Sequence, residues 1–392
     1  MLMCFKKGRI GAHLLRRNAL VFLLFLCLPA WAQTDSSHLR VSLLTCGTGT
    51  QPWETFGHTA IRITDSLAGT DNVYNYGTFN GYDDDFLLKF TRGKLLYYLS
   101  YYPYPNFIEE YRYSHRSVRE QVLLLSEEDK IELYNFLIRN ARDENKYYKY
   151  DFFFDNCATR IRDVFPQALG SGFSYPYVLP KEKQLSFRTI INHYFYRVHW
   201  QRFGVNILLG SKIDKIMSNT DVMFLPDFLE QAVGGATLNG KKIAAPSTIE
   251  LEGAKPLAAG INEPLLLTSF IALLTALGLF FPPFHRLGKA MIFFNLFLSG
   301  FIGCFILVMW MATDHQACAD NFNLLWALPT HFILAFAPKR NKSRYAVIAI
   351  GLIFVSLLLH LFNIQELPLT ELSPLLLSLL FVFGALYKRS TS

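Results

Sequence analysis

The sequence predicts an α+β domain outside the cytoplasm, followed by a helical extension and a bundle of five membrane-spanning helices. Three observations carry that expectation. Hydrophobic residues are 51% and charged residues 18% of the 392, with a mean hydropathy of +0.21, too apolar for one ordinary soluble domain. The apolar excess sits at the N-terminus and beyond residue 263. Between these regions, strand-like alternation gives way to a helical period near residue 126.

Residues 1–32 read as a signal peptide. Lys6, Lys7, Arg9, Arg16 and Arg17 form a basic n-region, an apolar stretch follows, and Ala30-Trp31-Ala32 supplies the small-x-small cleavage pattern. Cys27 lacks a small residue before it, so no lipid-attachment motif is read there.

Residues 33–165 form the expected catalytic domain. HLRVSLLTCG, GHTAIRITD, NVYNYGTF, KLLYYLSYY and SVREQVLLL read as strands, separated by Gly, Asp and Asn turns. SEEDKIELYNFLIRNARDE reads as a helix with Ser126 as N-cap, and a second helix begins near DNCATRIRDVF. Residues 166–258 look mostly helical and end in a Pro/Gly linker.

Five apolar runs follow within 264–388, at about 264–281, 290–311, 322–337, 345–363 and 372–387. The third is short and carries Asn323, Pro329 and His331. Lys and Arg occur in loops 282–289 and 338–344 and in the tail, and are missing from 312–321 and 364–371. That alternation is the positive-inside pattern for an odd number of spans entering from outside. It places the chain in the cytoplasmic (inner) membrane as a multi-pass protein, with its first domain periplasmic and its C-terminus cytoplasmic.

The formal charge of +7 is misleading taken whole. Thirteen positive charges belong to the n-region or to loops and a tail assigned to the cytoplasm; without them the balance is −6. A nucleic-acid partner, which wants a basic face, is thereby excluded.

The chemical signal lies in two short segments. Phe56-Gly57-His58-Thr59 puts a histidine at the start of a strand; Asp155-Asn156-Cys157-Ala158 puts a cysteine in the first turn of a helix. Helix N-terminal amides favour a thiolate and can hold an oxyanion, and a histidine on a facing strand can move the thiol proton. Asn75, on the next strand, can orient the imidazole. No second Cys or His stands at ligand spacing from Cys157, so neither a metal nor another cofactor is expected. Of six cysteines, Cys46, Cys157 and Cys318 would face an oxidising compartment, which leaves an odd thiol. Asp314 and His315, in the outward loop after the second span, are candidate accessory or substrate-binding groups, as is Asn156. Tyr97, Tyr98, Tyr101, Tyr102, Tyr104 and Phe107 offer material for an interfacial belt, or simply core and turn residues.

His58 precedes Cys157, an order that resembles the circularly permuted papain-like (NlpC-type) enzymes. Asn156-Cys157 is similar to the helix start of the lecithin:retinol acyltransferase relatives among them. TCGTGTQPWETFGHTAIRI, DNVYNYGTF, YKYDFFFDNCATRIRD, WQRFGVNILLG, MFLPDFL and TDH with NFNLLW together resemble the Lnb-type lipoprotein N-acyltransferases. This resemblance implies a permuted papain-like domain and a cysteine nucleophile, with His58 and Cys157 at the matching positions and Asn75 beside them. It also implies a phospholipid acyl donor, a diacylated lipoprotein acceptor and a membrane setting. An envelope cysteine amidase or endopeptidase acting on peptidoglycan would use the same pair, and a non-catalytic assembly factor would need neither residue. Cys318 has no counterpart in the family pattern.

Overall fold

Alternating apolar residues set the first strands: Val41 and Leu43 face one core while Leu44 and Cys46 face another, so the strand is buried on both sides. In this computed structural model the described residues are 37–51, 54–82, 84–180, 184–254, 259–337 and 342–391. The expected signal peptide, with Cys4 and Cys27, lies outside them.

The strands are β1 (Leu39–Cys46), β2 (His58–Asp65), β3 (Thr70–Phe79), β4 (Leu96–Pro103), β5 (Val118–Val122), β6 (Tyr147–Lys149), β7 (Phe173–Ser174), β8 (Thr237–Leu238), β9 (Lys241–Lys242) and β10 (Thr248–Leu251). Seven form one sheet in the order β10-β5-β1-β2-β3-β4-β6, each pair antiparallel; β7, β8 and β9 form a small second sheet. Helices α1 (Phe86–Thr91), α2 (Tyr104–Tyr113), α3 (Glu127–Asn140) and α4 (Cys157–Leu169) are interleaved. The five expected strands and both expected helices are present, and the Ser126 side chain caps α3 by accepting from the Asp129 N–H.

α4 buries Cys157, Ala158, Ile161, Val164 and Phe165, a stripe at helical spacing that packs on β2 and β3. Each such aliphatic or aromatic side chain contributes about 1.5–3 kcal/mol on burial. α2 covers the other face through Phe107 and Tyr111.

The stretch after residue 165 is not a separate helical extension. The expected boundary falls inside α4, and β10 returns to pair with β5 at the sheet edge. Helices α5 (Phe187–Tyr194), α6 (His199–Leu208), α7 (Asn219–Val222) and α8 (Pro226–Gly235) lie between. From His38 onward the chain forms one compact unit, soluble and membrane parts together.

Among the described residues, four helices are long and apolar enough to cross a membrane: α9 (Glu263–Phe280), α10 (His285–Met311), then α12 (Ser343–Leu361) and α13 (Leu369–Thr391). The run 322–337, expected as a fifth span, is instead a 3₁₀ turn at Phe322–Leu325 followed by a short α11 (Thr330–Phe336). Polar side chains set the break. Asn321 Nδ2 donates to Ile207 O and Leu208 O, Asn323 Nδ2 to Asn206 O and Ile207 O, and Trp326 Nε1 to Asn323 Oδ1. Chain that bonds sideways to α6 cannot continue its own helical ladder.

Candidate active site

Three local features bring the site together. Gly57, with φ at +77°, turns the chain into β2 where a Cβ would lie 2.5 Å from Cys46 O. This places His58 opposite Cys46 in the β1–β2 register. In β3, Gly77 takes φ of +95° at the irregularity between Asn75 and Thr78, which interrupts pairing with β4. Then α4 begins at Cys157, capped by Asn156.

Cys157 is 7% exposed. The backbone N–H groups of Thr59, Ala158 and Cys157 itself point at its sulfur, and the Arg116 charge also favours a thiolate. Burial outweighs all of these and pushes the thiol up to about 11. Burial thus opposes the thiolate that a position in the first turn of a helix favours.

His58 Nε2 lies 3.1 Å from Asn75 Oδ1. The Asn75 amide is oriented by its Nδ2, which approaches Val73 O at 3.4 Å, so its oxygen faces the ring. Nε2 then carries the proton, and Nδ1 keeps its lone pair. Burial lowers the imidazole to about 4 against the opposing effect of Asn75, with Arg116 adding to the decrease, so the ring is neutral near pH 7. Arg116 is itself buried, held by Gly47 O through Nε at 2.9 Å and by Glu54 at 3.4 Å.

Gly77 forms a wall of the site. A Cβ there would be 3.7 Å from Cys157 Cβ, 3.7 Å from Tyr150 Cε2 and 3.9 Å from the Tyr148 hydroxyl. That hydroxyl is buried without a hydrogen-bond partner in the protein, while Arg160 stacks over the Tyr148 ring at 4.1 Å. Sequence reading missed Tyr148, Tyr150, Gly77 and Arg116. YKYD stood inside the quoted motif, but only the sheet order brings β6 to this end of the molecule.

Asn156 has no free polar group to offer a substrate. Its Oδ1 accepts from Thr159 N–H, its N–H donates to Thr159 Oγ1, and its Nδ2 donates to Phe152 O and Phe224 O. Asp314 and His315 serve the junction between soluble and membrane parts. Asp314 Oδ2 accepts from Lys149 Nζ at 3.1 Å, and its N–H donates to Arg92 O at 2.9 Å. His315 Nε2 reaches Phe90 O and Thr91 O, both at 3.1 Å.

Cys46, Cys157, Cys304 and Cys318 are all free thiols. Burial pushes both Cys46 and Cys318 up to about 12. Of the aromatic set read as belt or as core and turn residues, Tyr102 and Phe107 are in the second core, Tyr101 stacks on Tyr74, and Arg62 sits over Tyr104. Among the described residues no three His, Cys, Asp or Glu side chains gather as a metal site.

Residues 28–182 match the profile of the Lnb N-terminal periplasmic domain, and residues 258–391 match that of the Lnb transmembrane domain. No curated protein and no solved structure matches the chain.

Proposed function

The chain belongs to the Lnb-type family, and on that premise we propose that it is a lipoprotein N-acyltransferase using Cys157 as nucleophile, His58 as base and Asn75 as the group that orients the imidazole. The family is associated with acyltransferase activity, and the chain is a multi-pass inner-membrane protein with a periplasmic N-terminal domain. The observation that carries the reading is the 3.1 Å His58–Asn75 contact beside a cysteine sulfur that takes the N–H of Thr59, the residue after His58. A buried imidazole held by Asn75, on the strand against which the cysteine helix packs, suits the roles of base and nucleophile. The cysteine helix packed on the histidine strand also fits a permuted papain-like arrangement.

In the first half-reaction His58 Nδ1 takes the thiol proton as the sulfur attacks a phospholipid ester carbon. The Cys157 N–H and the Tyr148 hydroxyl stabilise the tetrahedral oxyanion. Collapse breaks the ester C–O bond, and His58 returns the proton to the departing lysophospholipid. In the second, the α-amine of a diacylglyceryl-cysteine attacks the thioester, loses a proton to His58, and expels the Cys157 sulfur, which regains it. The amide product carries the acyl chain. Both substrates would reside in the bilayer, to which the helical bundle ties the domain that carries the site.

The C-terminus is assigned to the cytoplasm. Segment 327–336 runs antiparallel to α10, with Gly303 against Ala327, Gly300 against Phe332, and the Phe293 and Phe336 rings 5.3 Å apart. Its return toward the level of the first turns of α10 supports reading it as a fifth, broken crossing.

The test is the mass of a lipoprotein N-terminal peptide from cells with and without the protein. One added fatty acyl mass on a diacylated lipoprotein is expected, and its loss with Cys157→Ala and with His58→Ala. Acylation at the wild-type rate by either variant removes the catalytic pair; altered peptidoglycan fragments in its place favour the amidase.

A further inference from the structure

Helix α1, Phe86-Leu87-Leu88-Lys89-Phe90-Thr91, is a six-residue helix with no buried residue. Leu87 is 73% exposed, Leu88 56% and Phe90 49%. Contiguous apolar surface of this kind on a soluble domain marks an interaction site. The structure also fixes where the patch stands. The carbonyls of Phe90, Thr91 and Arg92 bond to His315 and Asp314, which lie just past Met311, where α10 ends. Gly93, at φ of +67°, allows that approach, since a Cβ there would meet Asp314 C at 3.2 Å. The patch is therefore held at the height where a spanning helix leaves the bilayer, with basic Lys89, Arg92 and Lys94 at the level of headgroups.

From this patch a row of rings leads inward. Phe90 to Phe86 is 6.0 Å between centroids, Phe86 to Phe79 5.6 Å, Phe79 to Tyr97 5.4 Å, and Tyr97 to Tyr150 4.3 Å. Tyr150 and Cys157 then flank Gly77, as described above. Apolar aromatic faces in sequence, from membrane surface to sulfur, suit a hydrocarbon chain and nothing charged.

We propose that Phe86–Thr91 is immersed in the periplasmic leaflet and that the row Phe90, Phe86, Phe79, Tyr97 and Tyr150 guides one fatty acyl chain of a membrane phospholipid to Cys157. The acyl path rests on the acyltransferase reading; the immersion does not. The whole protein in lipid nanodiscs tests both. With brominated phosphatidylcholine, tryptophan introduced as Leu88→Trp is expected to be quenched relative to the parent protein, and Tyr177→Trp, an exposed position outside the patch, is not. Equal quenching, or none at Leu88→Trp, overturns the immersion. For the path, acylation of Cys157 is followed by mass spectrometry from two donors, vesicle phosphatidylethanolamine and water-soluble p-nitrophenyl butyrate. In Leu87→Asp/Leu88→Asp the phospholipid rate divided by the butyrate rate is expected to fall about tenfold or more, since two charges replace two lipid-buried leucines. An unchanged ratio overturns the path. A parent protein that takes no acyl group from either donor overturns the functional reading and the path with it, while the quenching result still decides immersion.

Discussion

Asn156 donates from its side-chain amide to Phe224 O at 2.9 Å, which ties the residue before the candidate nucleophile to the loop that enters α8. That bond links MFLPDFL to DNC, one segment holding the other's helix cap. Asn156→Ala removes an N-cap and strands two carbonyls, and is expected to cost about 1–3 kcal/mol, read as a lowered thermal midpoint in detergent. Asn156→Ser, which keeps a capping oxygen, should fall between. A variant with unchanged stability and lost activity would instead make Asn156 a substrate contact.

Asn75→Ala leaves His58 free to rotate and to change tautomer. Acyl-enzyme formation is expected to drop, by less than the roughly 10²–10⁴-fold expected for His58→Ala, because the base is retained. Equal losses would mean that Asn75 supports the fold and not the ring's orientation. Tyr148→Phe removes one hydroxyl from the pocket and is expected to slow acylation by about 10²–10³-fold at unchanged thermal stability, if that hydroxyl serves the oxyanion.

The pH behaviour follows from burial. With the thiol near 11 and the imidazole near 4, both partners are neutral at rest. Alkylation of Cys157 by iodoacetamide, mapped by mass spectrometry, should therefore keep rising from pH 7 toward pH 10; a plateau from pH 5 upward would indicate a preformed thiolate–imidazolium pair. Acylation should hold through neutral pH and fall as pH drops through about 4, where His58 gains a proton. The same shift has a stability sign. Unfolded His58 binds a proton below about 6.5 and folded His58 only below about 4, so its contribution is full above about 6.5 and declines as pH falls to about 4.

Much of this architecture was legible because its signals are local. Strand alternation, the Ser126 cap and the Asp155-Asn156-Cys157 helix start depend on neighbours in sequence. His58 and Asn75 were legible because β2 and β3 are adjacent strands joined by a short turn. Tyr148 and Arg116 were not, since β6 and the turn before β5 reach the site only through long-range pairing. The sideways bonds of Asn321 and Asn323 to α6 were equally hidden, so hydropathy read one span where the chain is broken. Burial opposes the thiolate that the helix start favours, and its depth is a quantity that sequence does not display.

Topology has its own test. A reporter active only outside the cytoplasm should work when fused after Gly260 and fail when fused after Lys342 or at the C-terminus. The broken segment carries this expectation: without it as a crossing, the C-terminus lies on the side where α9 begins. Activity of the C-terminal fusion would confine crossings to the four long helices.

His315 invites the opposite expectation to the one its position alone suggests. A histidine beside an aspartate, in a loop facing the acceptor amine, looks placed to take that amine's proton. The contacts divide the pair: Asp314 bonds to Lys149, and His315 Nε2 donates to the carbonyls of Phe90 and Thr91. Both thus join the membrane bundle to the soluble domain. If joining is their work, His315→Ala lowers acylation of Cys157 by membrane phospholipid and transfer to the lipoprotein amine by similar factors. His315→Gln, which keeps a donor for the carbonyls but cannot act as a base, should then recover much of both. A His315→Gln protein that forms the acyl-enzyme at the normal rate yet fails to pass it on would make His315 the acceptor's base. Asp314→Ala should have the smaller effect, since its ion pair with Lys149 is exposed and such pairs contribute about 0–1 kcal/mol.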